Sequence, residues 1–393
     1  MFISGTLERT EQMKEPVNAL EYLEMLREKN GKQMQRFNEV YRYFSIKARE
    51  KGVPVSNQFE LTPLCNFSCK MCYVHLDHGQ MHGKQVLPVS TWKKLMHDAW
   101  QAGMMLATLT GGECLAYPGF NELYLYLHSL GCEVAVLTNG FLLNEERIRF
   151  FTEHKPCRIQ VTLYGWNDDV YERVTGQRAY HIVTENIRKA VEAKLPVSIN
   201  ITPNLFLGED VFETIRAAWN LTRKITVNSS LFSPRKETGR SEQEDNVETE
   251  MYIRIYKLLD ELNGIKTREI KEEDLPPVGG PDHECKECGL HCGGGRCGFV
   301  MNWQGVMTTC NRLEIIRAYP LRDGFEKAWK DLNRESNSWP RVPECEGCVY
   351  SNVCNNCAGN MLRFAKPGEL PKALCEQTRQ FVIHGVRHIP ECE

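Results

Sequence analysis

The sequence predicts an α/β fold: a partial barrel of six βα units, with a helical segment before it and a cysteine-rich region after it. Three observations lead there. Between about residues 55 and 262, short apolar strands alternate with amphipathic helical patterns. Residues 1–54 carry helical spacing only, and beyond about 263 the alternation stops while Cys and Gly become frequent. A chain of 393 residues has room for two or three domains of ordinary size.

Within 1–54, Val17, Leu20, Leu23 and Leu26 recur at i+3, and Met34, Phe37, Val40 with Tyr41, and Phe44 continue a similar face. Gly31 separates two helices in this reading, and Gly52-Val53-Pro54 ends the segment. The pair either packs on the next domain or docks a substrate. Strands are expected at 56–62, 105–110, 133–138, 158–164, 197–202 and 225–230. Helices are expected at 89–102, 120–130, 143–154, 179–194, 210–222 and 247–262. Six such units imply a parallel sheet with right-handed crossovers, curved as a full or partial barrel, with chemistry at the strand C-terminal ends. Residues 263–291 read as a charged, Pro- and Gly-bearing linker, and 292–393 as a separate domain. That domain holds one clear hairpin, Phe299–Trp303 and Val306–Thr309, turning at Gln304-Gly305.

Charged residues make up 25% and hydrophobic residues 42%, and the net charge is −3, so neither nucleic-acid binding nor a polybasic membrane anchor is expected. No apolar run approaches the ~18 residues of a membrane span. The start, MFISGTLERTEQMKEP, lacks a basic region followed by an apolar one, so a cytoplasmic protein is expected. In that setting 17 cysteines, an odd number in a long chain, suggest metal or cluster ligation before disulfides.

The first strand ends at Thr62 and leads into PLCNFSCKMCYV. Cys65, Cys69 and Cys72 are spaced C-x3-C-x2-C, one thiol short of a closed four-cysteine site. A [4Fe–4S] cluster so held keeps one iron open to an outside ligand. The alternative is zinc borrowing His75 or His78.

With Tyr73 following, this loop resembles the signature of the radical SAM superfamily. The resemblance implies that S-adenosylmethionine chelates the open iron. Its reductive cleavage would then give methionine and a 5′-deoxyadenosyl radical that takes hydrogen from substrate. It also implies SAM contacts from Gly111, Gly112 and Glu113 (the GGE motif ending strand two), from Asn139 in Thr138-Asn139-Gly140, from Thr162 in VTLYG, and from Arg173 and Asn200. An Arg fork suits the SAM carboxylate, although Arg173 and Thr162 read equally well as surface or capping residues.

Ten further cysteines lie between 285 and 375. Eight of them, Cys292, Cys297, Cys310, Cys345, Cys348, Cys354, Cys357 and Cys375, make two sets of four. This field resembles the SPASM domain, a C-terminal extension that binds two auxiliary [4Fe–4S] clusters. The resemblance assigns Cys292, Cys297, Cys310 and Cys357 to auxiliary cluster I, and Cys345, Cys348, Cys354 and Cys375 to auxiliary cluster II. The last x2 spacing, where the family has x3, leaves open which set takes Cys354 and which Cys357. A pair of zinc sites is the alternative. Cys285 and Cys288 are spare thiols, a substitute ligand or a redox pair. Cys114 reads as a small buried residue.

Such enzymes mostly oxidise peptides or proteins, so the sequence points to a radical SAM peptide maturase forming crosslinks. It would use SAM, three [4Fe–4S] clusters, a peptide or protein substrate, and an electron donor such as flavodoxin or ferredoxin. Formylglycine formation of the sulfatase-maturase kind, a small-molecule dehydrogenase, and a non-enzymatic Fe–S or zinc scaffold are the other readings. The first of these loses weight at Asn311, which stands after Cys310 where that branch has a basic Asp.

Overall fold

A computed structural model describes residues 36–77, 79–229, 232–239, 247–278 and 289–389, with backbone alone for 36–42. The N-terminal expectation up to residue 35, with Gly31, lies outside the described residues, as do Cys285, Cys288 and Cys392. Helix α1 (Arg36–Lys51) carries the rest of that segment.

The barrel follows the predicted alternation. Strands β1 (Ser56–Glu60), β2 (Leu106–Thr110), β3 (Glu133–Thr138), β4 (Arg158–Thr162), β5 (Val197–Ile201) and β6 (Ile225–Val227) pair in parallel, each with the next. Their crossovers contain α2 (Val89–Gln101), α3 (Phe120–Ser129), α4 (Glu145–Glu153), α5 (Asp168–Thr175), α6 (Tyr180–Glu192) and α7 (Asp210–Leu221). α8 (Thr249–Leu262) follows β6. On α2 the buried residues Trp92, Leu95, Met96 and Ala99 recur at helical spacing and form one apolar stripe against the sheet. Asn144 and Asn167 cap α4 and α5, their side chains accepting from the amides of Arg147 and Val170.

Helix α5 was not expected. Its eight residues are too few for a periodic pattern to stand out, but an Asn cap, the buried run Val170, Tyr171 and Val174, and a left-handed Gly176 after its end define it.

The C-terminal region is more ordered than its composition implies. β7 (Val300–Met301) pairs in parallel with β1, and β8 (Met307–Cys310) and β9 (Leu313–Ala318) follow antiparallel, giving the order β6-β5-β4-β3-β2-β1-β7-β8-β9. The hairpin turns as expected, with the Asn302 side chain accepting from the amides of Gln304 and Val306. β9 and the helices α9 (Pro320–Asp323), α10 (Phe325–Asn337), α11 (Ala358–Met361) and α12 (Lys372–Ile383) were not anticipated. α10 buries Phe325, Ala328, Trp329 and Leu332 at helical spacing, a pattern overshadowed by the cysteine motifs on either side.

The seam between barrel and C-terminal region is aromatic. Phe299 meets Phe59, Phe325 and Trp329 with ring centroids 6.0, 5.7 and 6.0 Å apart, and Trp329 Nε1 donates to the Gly52 carbonyl at 2.7 Å. One hydrophobic cluster therefore runs from the barrel into α10. The described part of 263–291 also packs on the C-terminal region: Ile270, Leu275 and Val278 lie against the buried residues Tyr350, Val353 and Val382.

Candidate active site

The loop after β1 is pinned from below. Ser68 and Lys70 donate their amides to the carbonyls of Thr175 and Val174, at the end of α5. Phe67 is buried edge-on against Phe141, Tyr164 and Tyr171. That anchor turns Cys65, Cys69 and Cys72 inward as half-buried thiols within electrostatic reach of one another. Burial and the nearby Glu113 push the Cys65 thiol up to about 12, and burial together with the other two thiols raises Cys69. Crowded buried thiols of this kind become thiolates only beside a strong positive charge, and iron would supply one. Among the described residues no group of three or more His, Cys, Asp or Glu side chains closes around a single metal ion.

The GGE turn lies directly on this loop. Gly112 and Glu113 donate their amides to the carbonyls of Thr62 and Leu64 at 2.7 and 2.9 Å. A Cβ on Gly112 would stand 2.3 Å from the Leu64 carbonyl oxygen, and Gly111 adopts φ +146. Gly112→Ala is therefore expected to push the cysteine loop away. Iron bound at that loop should fall to less than half, measured after anaerobic reconstitution, while far-ultraviolet circular dichroism stays unchanged.

Glu113 is fully buried, and its carboxylate is occupied. It accepts from the Thr138 hydroxyl at 2.8 Å and from the amides of Asn139 and Leu115 at 2.8 and 3.0 Å. It thus ties the turn after β2 to the turn after β3. There, Asn139 Nδ2 donates to Asn66 Oδ1 at 2.8 Å and to the Cys65 sulfur at 3.5 Å. Thr162 and Asn200 are register partners at the ends of β4 and β5. Asn200 is 7% exposed, and its Oδ1 is a buried acceptor with no partner.

Arg173 goes elsewhere. It is half-exposed on α5, pairs with Asp210 and donates Nε to the Phe206 carbonyl at 2.9 Å. The structure spends its fork on fixing α5 to the start of α7, not on the thiol loop. A residue chosen for its charge alone carried no information about this competing carboxylate.

The eight C-terminal thiols influence one another in two overlapping groups. Cys292 feels Cys357 and Cys297, and Cys310 feels Cys292 and Cys357. Cys345 feels Cys354, Cys375 and Cys348, and Cys375 feels Cys354 and Cys348. Cys354 feels Cys348 and Cys357 and so stands between the two groups. Burial, the largest cause, pushes Cys310 and Cys375 up to about 11 and Cys345 up to about 12. Cys114 is buried, its thiol donating to the Leu137 carbonyl at 3.1 Å, as a structural residue would.

Comparison with known proteins fits this geometry. Residues 59–218 match the family described as the radical SAM superfamily. That stretch is a radical SAM domain. The sporulation killing factor maturation protein SkfB of Bacillus subtilis (strain 168) is 28% identical over 169 residues, 43% of this chain and 40% of that protein. The PqqA peptide cyclase of Bradyrhizobium diazoefficiens is 28% identical over 152 residues, 38% of this chain and 39% of that protein. A probable GTP 3′,8-cyclase of Saccharolobus islandicus is 30% identical over 173 residues, 43% of this chain and 55% of that protein. The matched region thus spans roughly two fifths to about half the length of these curated relatives. Among solved structures, Streptococcus suis SuiB bound to S-adenosylmethionine has a TM-score of 0.60 at 12% identity, over 91% of this chain and 87% of that one. Native anSMEcpe with bound AdoMet has a TM-score of 0.59 at 14% identity, over 84% and 96%. The likeness of fold therefore continues through the C-terminal cysteine field.

One part of the chain's interior was not foreseen. Glu60, the last residue of β1, is fully buried and lies 2.7 Å from the guanidinium of Arg235, which also pairs with Glu314. Tyr73 donates its hydroxyl to Glu60 Oε1 at 3.1 Å, and Asn311 Nδ2 donates to the Tyr73 oxygen at 3.1 Å and to Gln58 Oε1 at 3.4 Å. Tyr73 follows Cys72 and Asn311 follows Cys310, so this polar cluster bridges the two cysteine fields. Burial raises the Glu60 carboxyl above its ordinary value, while Arg235 pulls it back. The available signal was a Glu ending an apolar strand, with no partner visible nearby in sequence.

Proposed function

We propose that the chain is an oxidative radical SAM enzyme of the SPASM type that matures a peptide or protein by forming a crosslink. The observation that supports the reading is the gathering of Cys65, Cys69 and Cys72 on the loop after β1, which is pinned to the end of α5, with eight further thiols in the C-terminal region. Cys65, Cys69 and Cys72 would hold the SAM-binding [4Fe–4S] cluster. Cys292, Cys297, Cys310 and Cys357 would hold auxiliary cluster I, and Cys345, Cys348, Cys354 and Cys375 auxiliary cluster II. The radical SAM domain would then run over about 55–262 and the auxiliary-cluster domain over 292–393. When bound, the SAM-ligated cluster supplies one-electron cleavage of SAM to a hydrogen-abstracting radical.

The chain's own residues bind and orient. The backbone of Gly111 and Gly112 lines the site beside the thiol loop, and Glu113 holds the two turns in register. Asn139 steadies the loop through Asn66 and the Cys65 sulfur. Thr162 and the unsatisfied Oδ1 of Asn200 offer polar contacts to the cofactor from β4 and β5. The aromatic anchor of Phe67, Tyr164 and Tyr171 keeps water from beneath the loop. Arg173 has no part in SAM binding in this reading.

The names of two relatives support a peptide substrate: a killing-factor maturation protein and a peptide cyclase. SuiB, similar in fold, has been solved bound to the precursor peptide SuiA. Asn311, whose amide nitrogen is spent as a donor to Tyr73, weighs against formylglycine formation, which needs a proton acceptor there. A small reductant protein such as flavodoxin or ferredoxin would supply electrons, and a reducing cytoplasm suits the clusters. No helix among the described residues is long and apolar enough to cross a membrane.

The test is an anaerobic assay of the reconstituted, reduced enzyme with peptides encoded beside its gene. The expected result is peptide-dependent 5′-deoxyadenosine and a peptide that has lost a pair of hydrogens. If no such peptide stimulates turnover, the maturase reading fails.

A further inference from the structure

The barrel has an open side. Its six strands run from β6, the edge of the sheet, to β1, where β7 takes over, and among the described residues β6 pairs only with β5. The chain that leaves β6 crosses this opening. Ser229 accepts from Asn355 Nδ2 of the C-terminal region at 2.8 Å. The Phe232 ring lies 4.9 Å from the Tyr73 ring, with the Arg312 guanidinium 4.5 Å over its centre. Arg235 donates its amide to the Tyr73 carbonyl at 3.1 Å, and the Thr238 carbonyl accepts from Gln80 Nε2 at 3.1 Å. Residues 232–239 thus reach from the β6 side to the end of β1 and touch the thiol loop and the C-terminal region in turn.

This segment has two faces. Phe232, Arg235 and Thr238 recur at a spacing of three and turn inward, and the Thr238 hydroxyl donates to the Arg235 carbonyl at 2.7 Å. Lys236 and Glu237 are exposed on the other side. Arg235 fastens the inner face. Its Nη2 lies 2.7 Å from Glu60 Oε2, its Nε donates to Glu314, and its guanidinium stands 5.5 Å over the Tyr73 ring. One side chain, 6% exposed, therefore joins the end of β1, strand β9 and the residue after Cys72.

A buried ion pair is a costly way to fasten a loop, since apolar packing of the same volume often holds as well. What a guanidinium adds is direction: its planar fork sets carboxylates from different elements at fixed angles to one another. The place so fixed borders a cleft. Val74, Leu76, Arg235, Thr238, Trp303 and Glu314 line it, between the thiol loop and the C-terminal hairpin. A peptide too long to be enclosed by the barrel has to enter where the sheet is open, and there it meets residues 232–239.

We propose that residues 232–239 are a strap that forms one wall of the peptide site, and that Arg235 is the positioning residue that seats it. This rests on the peptide-maturase reading above. With the strap seated, the reacting carbon of the peptide is held beside the thiol loop, and its hydrogen atom passes to C5′ of the adenosyl radical. With the strap unseated, that radical takes its hydrogen atom from other C–H or S–H bonds, giving 5′-deoxyadenosine without modified peptide. Arg235 acts through the strap and through Tyr73.

The test is anaerobic turnover of the full, reconstituted chain with the peptides encoded beside its gene, counting modified peptide per 5′-deoxyadenosine, with iron measured in every sample. Arg235→Gln, Phe232→Ala and the double variant Glu60→Gln with Arg235→Met are each expected to lower that ratio about three- to tenfold. Their iron content and their peptide-free SAM cleavage should match the wild type. Arg235→Lys, which keeps one ion pair, should recover part of the ratio. Lys236→Gln, on the exposed face, should stay within about twofold of the wild type. Phe232→Ala removes a half-buried ring and no charge, so it carries the test if the Arg235 variants fail to load iron. A wild-type ratio in iron-loaded Phe232→Ala or in the iron-loaded double variant overturns the proposal while leaving the function standing. So does a loss of product that only follows a loss of iron. A wild-type chain that modifies none of these peptides overturns both.

Discussion

Replacing Cys69 with alanine is expected to remove about four irons per chain and to abolish reductive formation of 5′-deoxyadenosine. Three thiols are the fewest that hold such a cluster while leaving an iron open, so losing one has no local remedy. Among the described residues no other thiol is placed to substitute. The nearest candidate by sequence is Cys114, whose thiol donates to the Leu137 carbonyl within the core. Cys114→Ala is the matching control, expected to keep all iron and all SAM cleavage and to cost only packing. Iron analysis and chromatography of the nucleoside product read both variants. A Cys69→Ala protein that still cleaved SAM would remove the three-thiol loop from the chemistry.

Arg235→Met is expected to be the most destabilising change outside the cysteines. Glu60 is fully buried, and Arg235 has 6% of its side chain exposed. Removing the cation strands a buried carboxylate, a change that typically costs about 3–5 kcal/mol. The double variant Glu60→Gln with Arg235→Met should recover part of that loss, because no uncompensated charge remains. The sign with pH follows from the carboxyl. Burial already raises Glu60, and without Arg235 it rises further. The folded state then holds a proton that the unfolded chain has released, so the deficit of the single variant should shrink as pH is lowered from about 8 to about 6. Apparent unfolding midpoints under anaerobic conditions measure this, compared between variants because a multi-domain chain is not two-state. A deficit that grew on acidification would contradict the placement of Glu60 and Arg235.

These two sites differ in how plainly the sequence announced them. The thiol loop is a local pattern: three cysteines, a strand before them and an aromatic after, all within one turn of chain. The six strands were legible for a similar reason, since each is a short apolar run between amphipathic helices, and the observed limits lie within a few residues of those expected. Glu60 and Arg235 are far apart in sequence; Arg235 donates its amide to the Tyr73 carbonyl, and β7 joining β1 brings Glu314 and Asn311 beside the pair. Nothing local records that contact. Arg173 shows the opposite case: its residue type suits a SAM carboxylate, while the structure pairs it with Asp210, brought near by the β5–α7 connection.

The most direct test of the whole account is the iron and acid-labile sulfide content of the anaerobically reconstituted full chain, read with Mössbauer spectra. Three [4Fe–4S] clusters predict about twelve irons and about twelve sulfides per chain, all in cubane form, with zinc absent. A chain that took up only about four irons, or that filled the eight C-terminal thiols with zinc, would contradict it.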